Sequence, residues 1–313
     1  MKALTNVEQN KGTPPIAPFN VDQCLAGIDF NDAADALLEY LDFFTAHVPF
    51  GALRFLHVLS SPDLFNIDGE SDAMDFVGTE VEKEVADKLK TVVGQGLKSL
   101  DPARVAIEVR EGAPLEQLLE AAASIRADLV AIGQSAARKN HGILMKNFAR
   151  QVGCNALVVP SHAKPRLKKI LVPVDFSEDS AKALRAAIAI NKLQENPAKI
   201  SVLHAFHLPA NFSAYRFNER KVMEMLEQDR DYALRLFISE NVPEDDLDRL
   251  KPVLLEHNRQ SIGRHIAGYA ENNKFDLVVI GATGHSKVAM LLMGSVTEKV
   301  LSTIEKVPVL VMK

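Results

Sequence analysis

The sequence has few cysteines and no long apolar run, and both shortages exclude classes of protein. Only two of its 313 residues are cysteines, Cys24 and Cys154. Two cysteines cannot build a disulfide framework and are too few for a cysteine-based zinc site. No apolar run approaches the roughly 20 residues that a membrane-spanning helix needs, and residues 1–20 lack the apolar core of a signal peptide. We expect a cytoplasmic protein with no membrane span.

The sequence also lacks an excess of basic residues. Its formal net charge of −5 argues against a nucleic-acid partner, since nucleic-acid binding usually requires a basic surface. The charge is unevenly spread, however. Residues 1–160 carry 14 Lys and Arg against 22 Asp and Glu, whereas residues 161–313 carry 22 against 19. An anionic ligand is therefore expected to approach the second half more easily.

The two halves of the chain repeat one another. Three segments of the first half recur in the same order about 146 to 148 residues later: LAGIDFNDAADALL as LVPVDFSEDSAKAL, FLHVLSSP as VLHAFHLP, and ADLVAIG as FDLVVIG. This order predicts two copies of one domain joined head to tail. We place a mobile tail at 1–21, copy one at 22–160, a linker at 161–169 and copy two at 170–313.

Each copy alternates short β-branched runs with segments of helical periodicity. In copy two the strand candidates are KILVPV, ISVLHAF, KPVLLEH, DLVVIG and VPVLVM, and helices are expected over 177–193, 215–240, 261–273 and 294–303. Strict alternation predicts an α/β fold in which each copy is a Rossmann-like, five-stranded parallel sheet with helices on both faces. Copy one repeats this pattern, with its long helix expected at 76–98.

Glycines follow the fourth strand candidate of copy two at uneven intervals. In DLVVIGATGHSKVAMLLMGSVTEKV they are Gly281, Gly284 and Gly294, and Ser295 comes directly after the last. Ligands of open parallel sheets bind beyond the carboxyl ends of the strands. There, Gly281 would allow a sharp turn and a close ligand approach, and Gly284 would supply a second unusual backbone angle. Backbone amides of this loop and of the helix that begins near Ser295 are expected to receive phosphate.

The spacing differs from both common phosphate motifs, G-x-x-x-x-G-K-[ST] and G-x-G-x-x-G. On spacing alone, these glycines are equally compatible with the turns of an ordinary loop between a strand and a helix. The residues by themselves leave the two interpretations open.

A resemblance favours the first interpretation. Asp175 after the first strand, His204 in the second, and G-x2-G-x9-G-S after the fourth resemble the ATP-binding branch of the universal stress protein family, over nearly the whole chain as a tandem pair. The resemblance implies a fold like that of adenine nucleotide alpha hydrolases and ATP as ligand, with magnesium left open. It implies base and ribose contacts from Pro173, Asp175 and Ala205, where the family usually has Val at the last position. It implies phosphate contacts from Gly281, Ala282, Gly284, His285, Gly294, Ser295, Val296 and Thr297.

Copy one departs from this motif. Gly133 is kept, but Ala136 replaces the second glycine, Lys146 the third, and Asn147 the serine. A Cβ atom penalises positive φ, and a long side chain obstructs close backbone approach. We expect copy one not to bind ATP in the manner of the family.

No catalytic constellation is found. Ser295 has no neighbouring base in the sequence and G-x-S-x-G is absent. His204 and His207 lie three residues apart in an extended segment and would point to opposite faces, so a metal site with His257 and His265 is not expected. Asp175 and its counterpart Asp29 can also be read as helix caps.

We therefore interpret the sequence as a stress-response protein whose C-terminal copy binds ATP and acts as a nucleotide-sensitive regulatory or protective module. The last strands of the two copies would cover each other in a pseudo-dimer, or each would be covered by its own helix. A homodimer is a further option. The alternative functions are an interaction or scaffold protein without nucleotide, a carrier of another small ligand in copy one, and a slow ATPase.

Overall fold

The computed structural model describes residues 15–59, 72–135, 147, 149–207, 219–256, 261–284 and 293–313. Copy one supplies β1 (Val21–Gly27), α1 (Asp32–His47), β2 (Phe50–Leu59), α2 (Asp72–Gly96), β3 (Val105–Glu111), α3 (Pro114–Ser124), β4 (Leu129–Gln134) and β5 (Asn155–Pro160). Copy two supplies β6 (Lys169–Pro173), α4 (Glu178–Lys192), β7 (Lys199–Phe206), α5 (Glu219–Asn241), α6 (Glu244–Leu247), β8 (Leu250–Glu256), α7 (Ile262–Asn272), β9 (Leu277–Gly281), α8 (Ser295–Leu301) and β10 (Val309–Met312).

The strands of each copy form the parallel sheet that their apolar runs predict, so the predicted fold class is confirmed. The described strands form one sheet in the order β3-β2-β1-β4-β5-β10-β9-β6-β7-β8. Every pairing within a copy is parallel, and only β5 and β10 run antiparallel, with Leu310 opposite Leu157. In each copy the strand order reverses beside the first strand, and this reversal creates a cleft at the carboxyl edge of the sheet.

Helices cover both faces because alternate strand residues are apolar on each side. On one face, Val172 of β6 joins a core with Ala187 of α4 and Leu234 of α5. On the other, Leu171 joins a core with Ile266 of α7. In copy one, α1 and α2 lie on the first face and α3 on the second. The burial of both sheet faces explains why β6 and β9 read as nearly continuous apolar runs.

The helices that follow β1 and β6 begin at side-chain caps. The Asn31 side chain accepts a hydrogen bond from the Ala33 amide at the start of α1, and the Ser177 side chain accepts one from the Ser180 amide at the start of α4. Such caps satisfy amides that the first helical turn leaves unpaired. The caps fix where each helix begins, directly beyond the carboxyl end of the preceding strand.

An aspartate before the fourth strand anchors the first strand of each copy. In copy two, Asp276 accepts hydrogen bonds from the Lys168 and Lys169 amides, at 2.9 and 3.0 Å, and pairs with the Arg166 guanidinium. In copy one, Asp128 accepts from the Asp22 and Gln23 amides. The repeated Asp-Leu-Val thus ties two neighbouring strands together at their amino ends.

Several boundaries differ from the sequence predictions. The long helix expected at 76–98 spans Asp72–Gly96, and the one expected at 215–240 is described from Glu219 to Asn241. Within the segment assigned to the tail, Phe19 is buried in the core and Ile16 packs against it, while residues 1–14 lie outside the described residues. Among the described helices, none has both the length and the apolar character that a bilayer crossing demands.

Candidate functional site

A cavity of about 300 Å³ lies in copy two where the carboxyl ends of β6 and β9 diverge. Nine of the eleven predicted site residues line it: Pro173, Asp175, Ala205, Gly281, Gly284, Gly294, Ser295, Val296 and Thr297. Ala282 is buried and is not among the lining residues, and His285 lies outside the described residues. The cleft therefore brings together segments that are more than 100 residues apart in the chain.

The Asp175 carboxylate is one of the groups that line this cleft. Its Oδ1 accepts hydrogen bonds from the Ser177 amide at 3.1 Å and the Ser177 hydroxyl at 2.5 Å. Its Oδ2 lies beside Gly284, so close that a Cβ atom at position 284 would collide with it. An ionised carboxylate has further lone pairs and can accept additional hydrogen bonds from hydroxyl groups.

One of the motif glycines, Gly281, is needed by the protein itself, for a reason that the spacing does not reveal. A Cβ atom on Gly281 would lie 2.7 to 2.9 Å from backbone atoms of Asp179 and Ser180 in the first turn of α4. The same contact recurs in copy one, where a Cβ atom on Gly133 would lie 3.0 Å from Ala33. Gly281 therefore allows the close packing of α4 on β9, and Gly284 leaves room for Asp175.

Gly294 is different, because a Cβ atom could be accommodated there. The nearest described atom would be the Ala282 carbonyl oxygen, at 3.4 Å. Its amide donates to that same oxygen at 2.8 Å, and its φ of −63° is ordinary. None of the three glycines has φ in the left-handed range. The expectation of an unusual backbone angle at Gly284 is therefore wrong: the glycines provide space rather than positive φ.

Threonine hydroxyls lock the loop to its surroundings. The Thr297 hydroxyl donates to the Gly281 carbonyl at 2.8 Å, and the Thr283 hydroxyl donates to the Asp179 carboxylate. Burial raises the pKa of Asp179, but hydrogen bonds from Thr283 and Lys182 outweigh it and hold the pKa below its ordinary value. The loop end is thus fixed to α4 on one side and to α8 on the other, while the amides at the start of α8 have no intrahelical acceptors.

His204, singled out from the sequence, has a structural role at the wall of the cleft. Its Nδ1 lies 3.0 Å from the Val174 carbonyl oxygen, and its ring stacks on Phe176 with centroids 4.3 Å apart. Phe176 has φ of +67°, a strained conformation for a residue with a side chain. The stack therefore holds the turn that presents Asp175. Burial lowers the pKa of His204, which favours the neutral ring.

Sequence reasoning missed the apolar wall of the cleft. Ile262 and Ile266 line it from α7, and Val174, Leu203 and Ile280 complete the surface. Their periodicity marks them as core residues, and only the fold shows that they face a ligand cleft. Over the described residues, no group of three or more His, Cys, Asp or Glu side chains is placed to hold a metal ion; His257 lies outside them.

The corresponding region of copy one is only partly described. Ala136 and Lys146 lie outside the described residues, whereas Asn147 is helical. The Asp29 carboxylate accepts hydrogen bonds from the Phe30 amide at 2.9 Å and the Asn31 side chain at 3.2 Å. His57 repeats the role of His204, with Nδ1 2.9 Å from the Ile28 carbonyl oxygen. The two copies thus share the histidine contact but not the conformation of the turn, since Phe176 has positive φ and its counterpart Phe30 does not.

Comparison with known proteins identifies relatives of both halves. The model of the universal stress protein family matches residues 20–164 and 166–313. The universal stress protein MJ0531 of Methanocaldococcus jannaschii is 30% identical over 152 residues, which are 47% of this chain and 82% of that protein. A universal stress protein structure from Archaeoglobus fulgidus has a TM-score of 0.61 at 19% identity, covering 94% of this chain and 99% of that one. The Pseudomonas aeruginosa protein PA1789 has a TM-score of 0.56 at 18% identity, covering 94% and 92%.

Proposed function

Because the chain belongs to the universal stress protein family, with one family domain in each half, we propose that copy two binds ATP in the cleft between β6 and β9. The observation that carries this proposal is the junction of an apolar pocket, a fixed carboxylate and a glycine loop in one cavity. A cavity of about 300 Å³ lies at the lower end of the range for small-molecule sites.

Each part of the nucleotide has a chemically matched region of the cleft. The adenine would lie against Pro173, Ala205 and the apolar wall from α7, since its faces are apolar. The ribose hydroxyls would donate to Asp175. The phosphates would extend along 281–284 and 294–297, where backbone amides and the Ser295 hydroxyl act as donors. Magnesium would balance phosphate charge near the Asp175 carboxylate.

We further propose that nucleotide binding in copy two is transmitted to copy one, which acts as a structural or regulatory partner in a pseudo-dimer. The Ala282 amide donates to the Met312 carbonyl at 2.7 Å at the end of β10, and β10 pairs with β5 of copy one. The Gln134 side chain of copy one also reaches the Leu301 carbonyl at 3.4 Å. These contacts link the glycine loop to the junction between the copies.

We also propose that this module works in the cytoplasm in a stress response, with no nucleic-acid partner. The support is the pair of unpaired cysteines, Cys24 and Cys154, which suits a reducing compartment, together with the negative net charge. Assembly into a homodimer remains a prediction for light scattering of the purified chain.

Calorimetric titration of the full chain with ATP tests the binding proposal. Gly284→Val places a side chain against Asp175 and should weaken ATP binding roughly 100-fold, which corresponds to about 2.7 kcal/mol. Gly153→Ala is the matched control, since nothing lies within 4 Å of a Cβ atom there, and it should bind as the wild type does. Repeating the titration without magnesium measures the contribution of the ion.

An absence of binding heat for the wild-type protein, with or without magnesium, would overturn the proposal. Phosphate release measured on the same samples separates binding from turnover. We expect no release above the buffer rate, whereas release that Gly284→Val abolishes would instead indicate a slow ATPase.

A further inference from the structure

A second cavity, of about 670 Å³, lies at the opposite edge of the copy-two sheet, where β6, β7 and β8 begin. Three lysines from three neighbouring strands line it: Lys169, Lys199 and Lys251. Lys169 is the register partner of Lys199, and Lys251 is the partner of Ser201, two residues beyond Lys199. Because paired residues of parallel strands share a face, all three side chains lie on the face that α7 covers. We call this cavity the lysine cleft.

Positive charge in the lysine cleft exceeds negative charge. Arg249 also lines it, and Asp248 is the one carboxylate among the lining residues. The Lys169 ammonium group donates to the Asn273 carbonyl at 3.1 Å. Within the part of the chain that the structure describes, no ion pair involves Lys199, Arg249 or Lys251. An anion bound among these cationic groups would be attracted by each of them.

The floor of the lysine cleft is apolar and aromatic. Tyr269 and Phe275 contribute it, with ring centroids 5.9 Å apart. A concave, partly apolar cavity of this volume with a few charged groups is typical of a small-molecule site. Three lysines around such a floor match a phosphorylated compound, since lysine binds phosphate as a point charge.

Copy one shows that the fold does not require these lysines. The equivalent positions hold Gln23, Ala52 and Ala106 in place of Lys169, Lys199 and Lys251. Gln23 pairs with Ala52 as Lys169 pairs with Lys199, and Ala106 pairs with Arg54 as Lys251 pairs with Ser201. The same sheet edge therefore forms without any of the three ammonium groups.

We propose that the lysine cleft binds a small, multiply charged phosphate compound, independently of the ATP site. Inorganic tripolyphosphate is a suitable probe because it lacks a base. In calorimetric titrations of the full chain carrying one equivalent of ATP, so that no excess ATP competes for the lysine cleft, it should bind, and Lys199→Ala/Lys251→Ala should weaken that binding at least tenfold. Lys83→Ala/Lys90→Ala removes the same charge from exposed positions on α2 and should leave it unchanged.

Amide shifts in NMR spectra locate the bound anion: we expect them at 199–201, 249–251 and 273–275. Three outcomes would each overturn the proposal. Tripolyphosphate could fail to bind the wild-type protein, it could bind both double variants equally weakly, or the amide shifts could be confined to 281–284 and 294–297. Failure of the wild type to bind ATP would leave this test intact, since the titration then runs without ATP.

Comparison of phenyl phosphate with inorganic phosphate distinguishes two sources of the same chemistry. Tighter binding of phenyl phosphate, lost in Tyr269→Ala, indicates an organic phosphate that uses the aromatic floor. Equal binding of the two indicates inorganic phosphate or polyphosphate.

Discussion

The two copies share a fold and differ in the side chains that they place at the edges of the sheet. Both keep a glycine where the fourth strand meets the first helix, both keep a histidine bonded to the turn after the first strand, and both anchor the first strand with an aspartate. Copy two alone carries the remaining glycines and the lysine cleft. Features required by the fold are therefore repeated, whereas both proposed ligand sites lie in copy two.

Replacing the anchoring aspartates, Asp276 and Asp128, should produce the largest difference in stability between the copies. The Asp276 side chain is 3% exposed and pairs with Arg166, whereas Asp128 is exposed. Asp276→Ala removes a charged acceptor from two part-buried backbone amides and from the Arg166 guanidinium, and should lower the free energy of unfolding by about 3 kcal/mol. Asp128→Ala should cost about 1 kcal/mol. Urea unfolding of both variants measures this; equal costs would show that burial does not distinguish the two anchors.

The next largest difference in stability should come from replacing the glycines that pack against the first helix of each copy, Gly281 and Gly133. Gly281→Ala forces a Cβ atom against the backbone of α4 and should destabilise the protein by about 2 to 3 kcal/mol. The contact at Gly133 is 3.0 Å rather than 2.7 Å, so Gly133→Ala should cost about 1 kcal/mol. Thermal and urea unfolding provide the comparison. A neutral Gly281→Ala variant would contradict the packing explanation of the motif glycine.

Thr297 offers a way to make copy two resemble copy one, where Ala149 occupies the aligned position. Thr297→Ala removes the donor to the buried Gly281 carbonyl, and should cost about 1 kcal/mol of stability and weaken ATP binding several-fold. Thr297→Ser, which keeps the hydroxyl, should restore most of both in unfolding and calorimetric measurements. If Thr297→Ser loses as much stability and ATP affinity as Thr297→Ala does, the hydroxyl group is not responsible for the effect.

The smallest expected effect is a pH dependence from His204. Its pKa in the folded protein is lowered, chiefly by burial, so the unfolded chain takes up the proton first as pH falls below about 6.5. The contribution of the neutral ring is therefore present above that pH and is lost as pH falls through the folded pKa. His204→Gln should flatten the stability profile as pH falls below about 6.5, and His162→Gln, at an exposed position, should not. Parallel profiles for all three proteins would contradict this.

The family resemblance, and no local pattern, implied Pro173, Asp175 and Ala205 as cleft residues. Local patterns predicted the repeat, the alternation of strands and helices, and a glycine loop after the fourth strand of copy two. These features depend on periods of two and 3.6 residues and on glycine spacing, which neighbours in the chain determine. The predicted helix ends were less accurate, since α2 begins four residues earlier than expected. Helix ends depend on packing as well as on sequence pattern.

The sequence by itself determined two α/β domains and the position of a glycine loop after a buried strand. Only the tertiary structure decided what each glycine does, because the atoms that Gly281 and Gly284 must avoid belong to Asp179 and Asp175, about 100 residues away in the chain. It also decided that β5 and β10 pair antiparallel and that Lys169, Lys199 and Lys251 converge on one cavity. Such contacts arise from strand order and register, which no local pattern encodes.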